Sequence, residues 1–396
     1  MKRTSRDIRR GNRNEVLRHV IADSPVSRQG LAAVTGLSLA TVANLVGELL
    51  ERGVLTEVGY QDSDGGRPRG LVAMHAAGGA LIGVDVAETY VHAEVFDLSL
   101  RLLARAEERL GPRENQPQDV VGRIVKAVRA AVEQAGIGVR PLLGAGVSMP
   151  GQVEREGGLS VYAPNWSWHD VPLREMLAQE LDFPVYLDSP LMSCTVAELW
   201  FGAARGCQDA VVVSLGTGTG AGIAVGGALY RGTANAAGEW GHTTLVLDGR
   251  ACHCGSMGCV ETYVGAPGIV RTLREVDPDS PLIQGDQTAA IDAIARALAK
   301  GDPAAAETVR RTARYLGVAV GGLINLLNPQ VIVLTSWVAA RLGDALLTGM
   351  REAVAEHALP RQLEYTRIML CPIPGNPVSL GAATFALEGA MANAQR

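Results

Sequence analysis

Along the first 75 residues apolar positions recur at helical spacing three times and then alternate. Val16, Leu17, Val20 and Ile21 form the apolar stripe of a first helix beginning near Asn12, and Ser24-Pro25 ends it. Ser27 offers an N-cap to a short second helix carrying Leu31 and Val34, followed by a turn at Thr35-Gly36. Ser38 caps a third helix over 39–52, stopped by Gly53. On it Val42, Leu45, Val46 and Leu49 share one face, and Thr41, Asn44 and Glu48 share another. Residues 54–58 and 71–74 read as the two strands of a hairpin. Three short helices with a glycine turn before the last, then a hairpin, predict a winged helix-turn-helix over 1–76. The start of the third helix would enter a major groove.

From residue 80 onward strands and helices alternate. Apolar runs at 81–86, 90–96, 142–149, 210–215 and 331–334 predict the buried strands of an α/β fold. After 210–215 comes Gly216-Thr217-Gly218-Thr219-Gly220-Ala221-Gly222, a glycine loop whose amides can cradle a phosphate. At 396 residues the chain exceeds one ordinary core and is expected to hold two or three domains. No uninterrupted apolar run reaches the ~18 residues of a membrane span, and the basic start has no apolar segment after it. We therefore expect a cytoplasmic protein that does not enter a membrane.

The net charge of −5 is unevenly distributed. Residues 1–75 carry 11 Lys/Arg against 8 Asp/Glu, a balance of +3, and the remainder carries −8. A basic head on an acidic body points to a polyanion as the partner of the head alone, double-stranded DNA being the natural choice. The hairpin tip Gly65-Gly66-Arg67-Pro68-Arg69-Gly70 holds two guanidiniums on a narrow ribbon, which suits an AT-rich minor groove. The third helix has no Lys or Arg near its start, so Ser38, Thr41 and Asn44 are the candidate base and phosphate contacts, with Arg67 and Arg69 supplying affinity. Lys2, Arg3, Arg6, Arg9, Arg10 and Arg13 add to the basic character. A small helical dimerisation module with a solvated charged loop satisfies the same pattern.

Three of six cysteines, Cys252, Cys254 and Cys259, fall within eight residues, with His242 ten positions upstream. This is the ligand set of a closed tetrahedral Cys3His site for structural Zn2+. Buried thiols or a disulfide are the alternatives, the latter disfavoured in a reducing compartment. Cys194, Cys207 and Cys371 stand alone on apolar stretches and read as packing residues, and His253 as a bystander between two ligands. Glu239 and Glu261 flank the cluster and would project from a rigid frame.

These pieces occur in an informative order. The head, Gly83-Val84-Asp85, Val147-Ser148-Met149-Pro150-Gly151, Ala163-Pro164-Asn165-Trp166, the glycine loop, Gly238-Glu239-Trp240-Gly241-His242 and the cysteine run together resemble the ROK family of repressors, open reading frames and sugar kinases. The resemblance implies a body of two actin-like (ribonuclease H-like) lobes with a cleft between them, over 79–390. Lobe 1 would comprise about 79–195 plus a C-terminal helix at about 378–392, and lobe 2 about 196–377. It also implies that Glu239, His242 and Glu261 face sugar hydroxyls, with Asn165 in the same site.

The departures from the kinase pattern are chemical. Where kinases have Asp-x-Gly-Gly-Thr, this chain has Asp85-Val86-Ala87-Glu88-Thr89. Glu-Asn-Asp-Ala-Asn is replaced by Asp188-Ser189-Pro190-Leu191-Met192, so Pro190, which cannot accept a proton, stands at the catalytic-base position. A glycine pair on the adenosine side becomes Thr335-Ser336. The expected function is a DNA-binding regulator, a repressor of carbohydrate or related metabolism, controlled by a sugar-like effector in the cleft and binding an inverted repeat as a homodimer or dimer of dimers. A constitutive regulator whose body is only a dimer scaffold, and a sugar kinase with an accessory head, are the alternatives.

Overall fold

The computed structural model describes residues 4–61, 69–111, 113–163 and 166–393. Arg67 and Asn165, two of the expected ligand contacts, lie outside the described residues, as do Lys2 and Arg3. The chain forms two compact units, one made of residues up to Ser193 and from Asn376 onward, the other of Cys194–Gly375.

The first unit opens with α1 (Ser5–Asp23), α2 (Arg28–Thr35) and α3 (Leu39–Glu51). Local chemistry sets their ends. The Ser27 side chain accepts from the Gly30 amide and that of Ser38 from the Thr41 amide, while Gly36, at φ 68°, closes α2 in the left-handed region. Val42, Leu45, Val46 and Leu49 of α3 are buried as one stripe. Helix α1 begins well ahead of its apolar stripe. A capping box holds it there, with the Asp7 amide donating to Thr4 Oγ1 at 3.2 Å and the Thr4 amide to Asp7 Oδ2 at 3.0 Å. The strands β1 (Val26–Ser27), β2 (Leu55–Gln61) and β3 (Arg69–Met74) pair antiparallel with β3 in the middle. The two-residue β1 has no signature in the hydropathy pattern.

The rest of this unit follows as β4 (Ala80–Val86), β5 (Tyr90–Asp97), β6 (Leu102–Arg109), α4 (Pro117–Ala135), β7 (Leu142–Ser148), β8 (Gln152–Glu154), β9 (Leu159–Ala163), β10 (Trp168–Val171), α5 (Leu173–Ala178) and β11 (Val185–Asp188). Its main sheet has the order β11-β7-β4-β5-β6, with β4, β7 and β11 parallel. Every residue of β4 is buried, as expected of a strand covered on both faces. Helix α6 (Pro190–Phe201) then carries the chain into the second unit.

That unit holds β12 (Ala210–Leu215), β13 (Thr219–Val225), β14 (Ala228–Tyr230), α7 (Glu261–Val264), α8 (Ala266–Val276), α9 (Gln287–Ala299), α10 (Pro303–Leu327), β15 (Val331–Thr335), α11 (Ser336–His357), α12 (Pro360–Glu364) and β16 (Arg367–Leu370). The sheet order is β14-β13-β12-β15-β16, with β12, β15 and β16 parallel. Both large sheets thus have one plan: three antiparallel strands in chain order, then two added in parallel. The chain returns as α13 (Pro377–Asn393), seated on β4 and β7 of the first unit.

Residues 216–222 are not the single loop expected from the sequence: Thr219 to Gly222 belong to β13, paired with Leu215 to Val212 of β12. Only Gly216 to Gly218 remain as a hairpin turn, with the Gly216 amide donating to the Gly218 carbonyl at 3.0 Å. The ladder offered by β12 outweighs the low strand preference of glycine.

Candidate functional site

The cysteine loop is assembled by backbone bonds. The Cys252 amide donates to the Ser256 carbonyl at 2.9 Å and the Gly258 amide to the Arg250 carbonyl at 2.7 Å, and a Cβ at Gly258 would collide with the Val246 carbonyl. His242 ends a short 3-10 turn, Glu239–His242, in which Gly241 presses on the Thr219 carbonyl too closely for any side chain. His242 Nδ1 lies 3.6 Å from Cys252 Sγ and Cys254 Sγ 3.8 Å from Cys259 Sγ, and the four ligand atoms lie within 4.8 Å of one another. A tetrahedral zinc with Zn–S of ~2.3 Å and Zn–N of ~2.0 Å has S···S edges of ~3.8 Å and S···N edges of ~3.5 Å. The donor set therefore fits such an ion. Burial pushes the Cys252 thiol up to about 12 and that of Cys259 upward, while the Ser256 amide pulls Cys254 down. A dication is the counter-charge that lets all three ionise.

Arg250, which carried no sequence signal, is the anchor of this loop. Its side chain is buried, with Nη1 donating to the carbonyls of Thr262 at 2.8 Å and Gly268 at 3.0 Å. Nη2 donates to Thr272 Oγ1 at 2.9 Å and to Glu275 Oε2 at 2.6 Å, and the guanidinium lies 4.6 Å from the Tyr263 ring centroid. Arg250, two residues before the candidate ligand Cys252, is thus bolted to α7 and α8.

Of the expected sugar contacts, Glu239 is exposed at the start of the 3-10 turn, and Glu261 is buried at the start of α7. Glu261 Oε2 accepts from the Thr219 amide at 2.8 Å. Its other oxygen, Oε1, lies 3.2 Å from Nδ1 of His253. His253, expected as a bystander to the metal ligands, stays outside the four-atom cluster and lies against Glu261 instead. The tight turn closed by the Gly255 amide on the Cys252 carbonyl sends the exposed imidazole toward Glu261, and it meets the His242 ring edge-on at 5.3 Å. Ligand atoms of His242, His253 and Glu261 also lie within 4.8 Å of one another. A groove of about 1020 Å³ along α4 in the first unit contains none of these groups.

The positions that depart from the kinase pattern are occupied by structure. Pro190 is the first residue of α6, and Asp188, fully buried, has Oδ2 3.2 Å from Arg155 Nε while Oδ1 accepts from the Ser189 amide. Asp85 Oδ2 accepts from Asn376 Nδ2 at 2.9 Å and from the Tyr90 hydroxyl at 3.2 Å, and burial raises its carboxyl above the usual range. Ser336, at φ 77°, keeps a left-handed backbone more natural to glycine. Its Oγ and Trp337 Nε1 each stand 3.2 Å from where a Gly216 Cβ would be, above the glycine turn.

In the head, Ser38 Oγ bonds Thr41 Oγ1 at 2.8 Å besides capping α3, Asn44 is exposed, and Arg69 is exposed at the start of β3. Glu48 is less available than its helical face suggested. Arg9 Nη2 at 2.8 Å, Arg13 Nη1 at 3.3 Å and Arg52 Nη1 at 3.3 Å converge on its carboxylate. Burial alone would raise this carboxyl, but the three guanidiniums hold it below the usual range.

A helix-turn-helix head joined to a body in which one sheet plan occurs twice, with a Cys3His loop, defines a two-part protein whose body is of the actin-like kind. The chain belongs to the ROK family, whose model matches residues 81–388. It is 28% identical over 390 residues to the putative xylose repressor of Caldicellulosiruptor sp. (strain Rt8B.4), covering 97% of each chain. It is 29% identical over 358 residues to the DNA-binding transcriptional dual regulator NagC of Escherichia coli (strain K12), covering 89% of this chain and 86% of that one. Among solved structures, a ROK family transcriptional regulator described as a homolog of the E. coli MLC protein superposes with a TM-score of 0.81 at 22% identity, covering 97% and 98%. The ROK family glucokinase of Streptomyces griseus, in complex with glucose and AMPPNP, has a TM-score of 0.67 at 28% identity, covering 78% of this chain and 100% of its own.

Proposed function

We propose that the chain is a DNA-binding transcriptional regulator, a repressor of carbohydrate or related metabolism, whose hold on its operator is set by a small sugar-like effector. The observation that carries this function is the exposed, capped start of α3 on a head tied to a ROK body, in a chain that matches repressors over nearly its full length. Residues 1–76 serve as a winged helix-turn-helix and 79–390 as the sensing body. Ser38, Thr41 and Asn44 read the major groove, and Arg67 and Arg69 hold the minor groove. A homodimer, or a dimer of dimers, places two heads on an inverted repeat in the cytoplasm. Structural Zn2+ on His242, Cys252, Cys254 and Cys259 keeps the loop rigid. Glu239 and Glu261, joined on the family resemblance by Asn165, accept from effector hydroxyls, and His242, with Nδ1 on the zinc, donates from Nε2 to an effector oxygen. Pro190 and the Arg155-paired Asp188 supply no general base, so the body binds sugar without phosphorylating it.

The test is a thermal-shift titration of the zinc-loaded protein with D-xylose, N-acetyl-D-glucosamine and D-glucose, followed by DNA-binding measurements with the best ligand. At 100 times its dissociation constant a ligand stabilises by about 2.7 kcal/mol, and operator affinity must change in parallel because an effector acts only through unequal affinity for two states. Elemental analysis should return about one zinc per chain. Sugar binding without any change in operator affinity would make the body a scaffold.

A further inference from the structure

Helix α13 connects two places of consequence. It starts where the chain re-enters the first unit, at Asn376, the residue after the crossing at Gly375. The Asn376 side chain accepts from the amides of Val378 at 2.9 Å and Ser379 at 3.2 Å and donates to Asp85 at the end of β4. Three glycines bring the helix into backbone contact with its surroundings: a Cβ at Gly83 would strike the Ser379 carbonyl, one at Gly146 the Ala382 carbonyl, and one at Gly381 the carbonyl of Ser193, the last residue before the other crossing. Such contacts leave little room for sliding. Seventeen residues at ~1.5 Å each make a rod of about 25 Å.

The far end of the rod meets the recognition helix. Arg52, the C-cap residue of α3, donates from Nη1 to the Met391 carbonyl at 3.0 Å, and the same nitrogen bonds Glu48 Oε1 at 3.3 Å. Carbonyls in the last turn of a helix lack intrahelical partners and carry the negative end of its dipole, so a guanidinium is the complementary cap. His75, the residue after β3, meets the same end of α3, its Nδ1 lying 3.0 Å from the Gly53 carbonyl. We propose that Arg52 is a positioning residue for operator reading: by capping α13 while bonded to Glu48, it fixes the orientation of α3 on the ROK body. This rests on the DNA-binding role assigned to α3. A helix held in place before binding need not be ordered during it, so the gain falls on specific duplexes, where side chains must meet base edges.

The test uses the full-length zinc-loaded protein and a duplex enriched by the parent from a random-sequence pool. If the parent enriches none, DNA reading itself fails. With a selected duplex in hand, the quantity measured is its preference over a scrambled duplex, because that ratio cancels the sequence-independent phosphate attraction. Arg52→Gln should lower the ratio about tenfold, the lower end for a charge-assisted hydrogen bond, in a protein that still folds. Arg52→Lys, which keeps a donor and the charge, should recover most of it. Ending the chain after Ala390 removes the Met391 acceptor and should give the same loss, with no further loss when combined with Arg52→Gln. An unchanged ratio in Arg52→Gln, or losses that multiply in the combined variant, would overturn the proposal. Should Arg52→Gln not fold, the Arg52→Lys and shortened chains decide it by the same comparison.

Discussion

Arg250 is where the structure makes its sharpest energetic demand. Its guanidinium serves three neutral acceptors, the carbonyls of Thr262 and Gly268 and the Thr272 hydroxyl, and one half-exposed carboxylate, Glu275. Taking about 1 kcal/mol for each neutral hydrogen bond and no more than ~1 kcal/mol for the ion pair, discounted because Glu275 is open to solvent, we expect Arg250→Ala to cost the second unit roughly 3–4 kcal/mol. Arg250→Lys keeps the charge but cannot reach all four acceptors in the planar fork of a guanidinium, so about half of that loss should remain. The effect should extend to the proposed zinc, because the Arg250 carbonyl receives the amide of Gly258, the residue before Cys259, and its own amide donates to the Tyr263 hydroxyl at 3.0 Å. Urea unfolding and the rate of zinc loss to a chromogenic chelator would be measured on parent and variants. If Arg250→Ala unfolds within about 1 kcal/mol of the parent and releases zinc at the parental rate, the anchoring role is wrong.

Four further outcomes are expected. Glu239→Gln and Glu261→Gln should each weaken the best sugar ligand by about 1.5–3 kcal/mol, roughly tenfold to over a hundredfold, in calorimetric titration; unchanged affinity in both would place the pocket elsewhere. Arg69→Gln should reduce the slope of log affinity against log salt by about one phosphate contact, and Arg67→Gln likewise, whereas Asn44→Ala should alter base preference by about 1–3 kcal/mol at one position. Because the Glu48 carboxyl is held below its unfolded value, its ties to Arg9, Arg13 and Arg52 contribute stability present in full above the ordinary Glu range of about 4.3 and lost as pH falls through the depressed native value. Unfolding followed from neutral pH into that range should show this in the parent and lose it in Glu48→Gln; parallel curves would refute it. Sugar-dependent ADP release should stay far below kinase rates of roughly 1–100 per second, and turnover in that range would restore a catalytic role to the body.

Local signals in the sequence determined a good deal here. Capping serines, left-handed glycines and one apolar stripe located α2 and α3, because a cap reports a helix end from a few neighbouring atoms. The cysteine spacing named the metal-ligand candidates within one loop, and Pro190 ruled out a proton acceptor at its position whatever the surroundings. Tertiary structure decided the rest through partners far away in the chain. Helix α1 extends to Ser5 without apolar periodicity, and its arginines meet Glu48 across the head. Half of the glycine loop is strand because β12 lies beside it. His253 touches Glu261, Arg250 reaches α7 and α8, and Arg52 caps a helix 339 residues on in the chain. Periodicity and spacing record which side of an element is buried and how its ends are closed. The acceptor that a buried guanidinium or an exposed imidazole finds depends on where distant segments are brought by packing, and no local pattern encodes that.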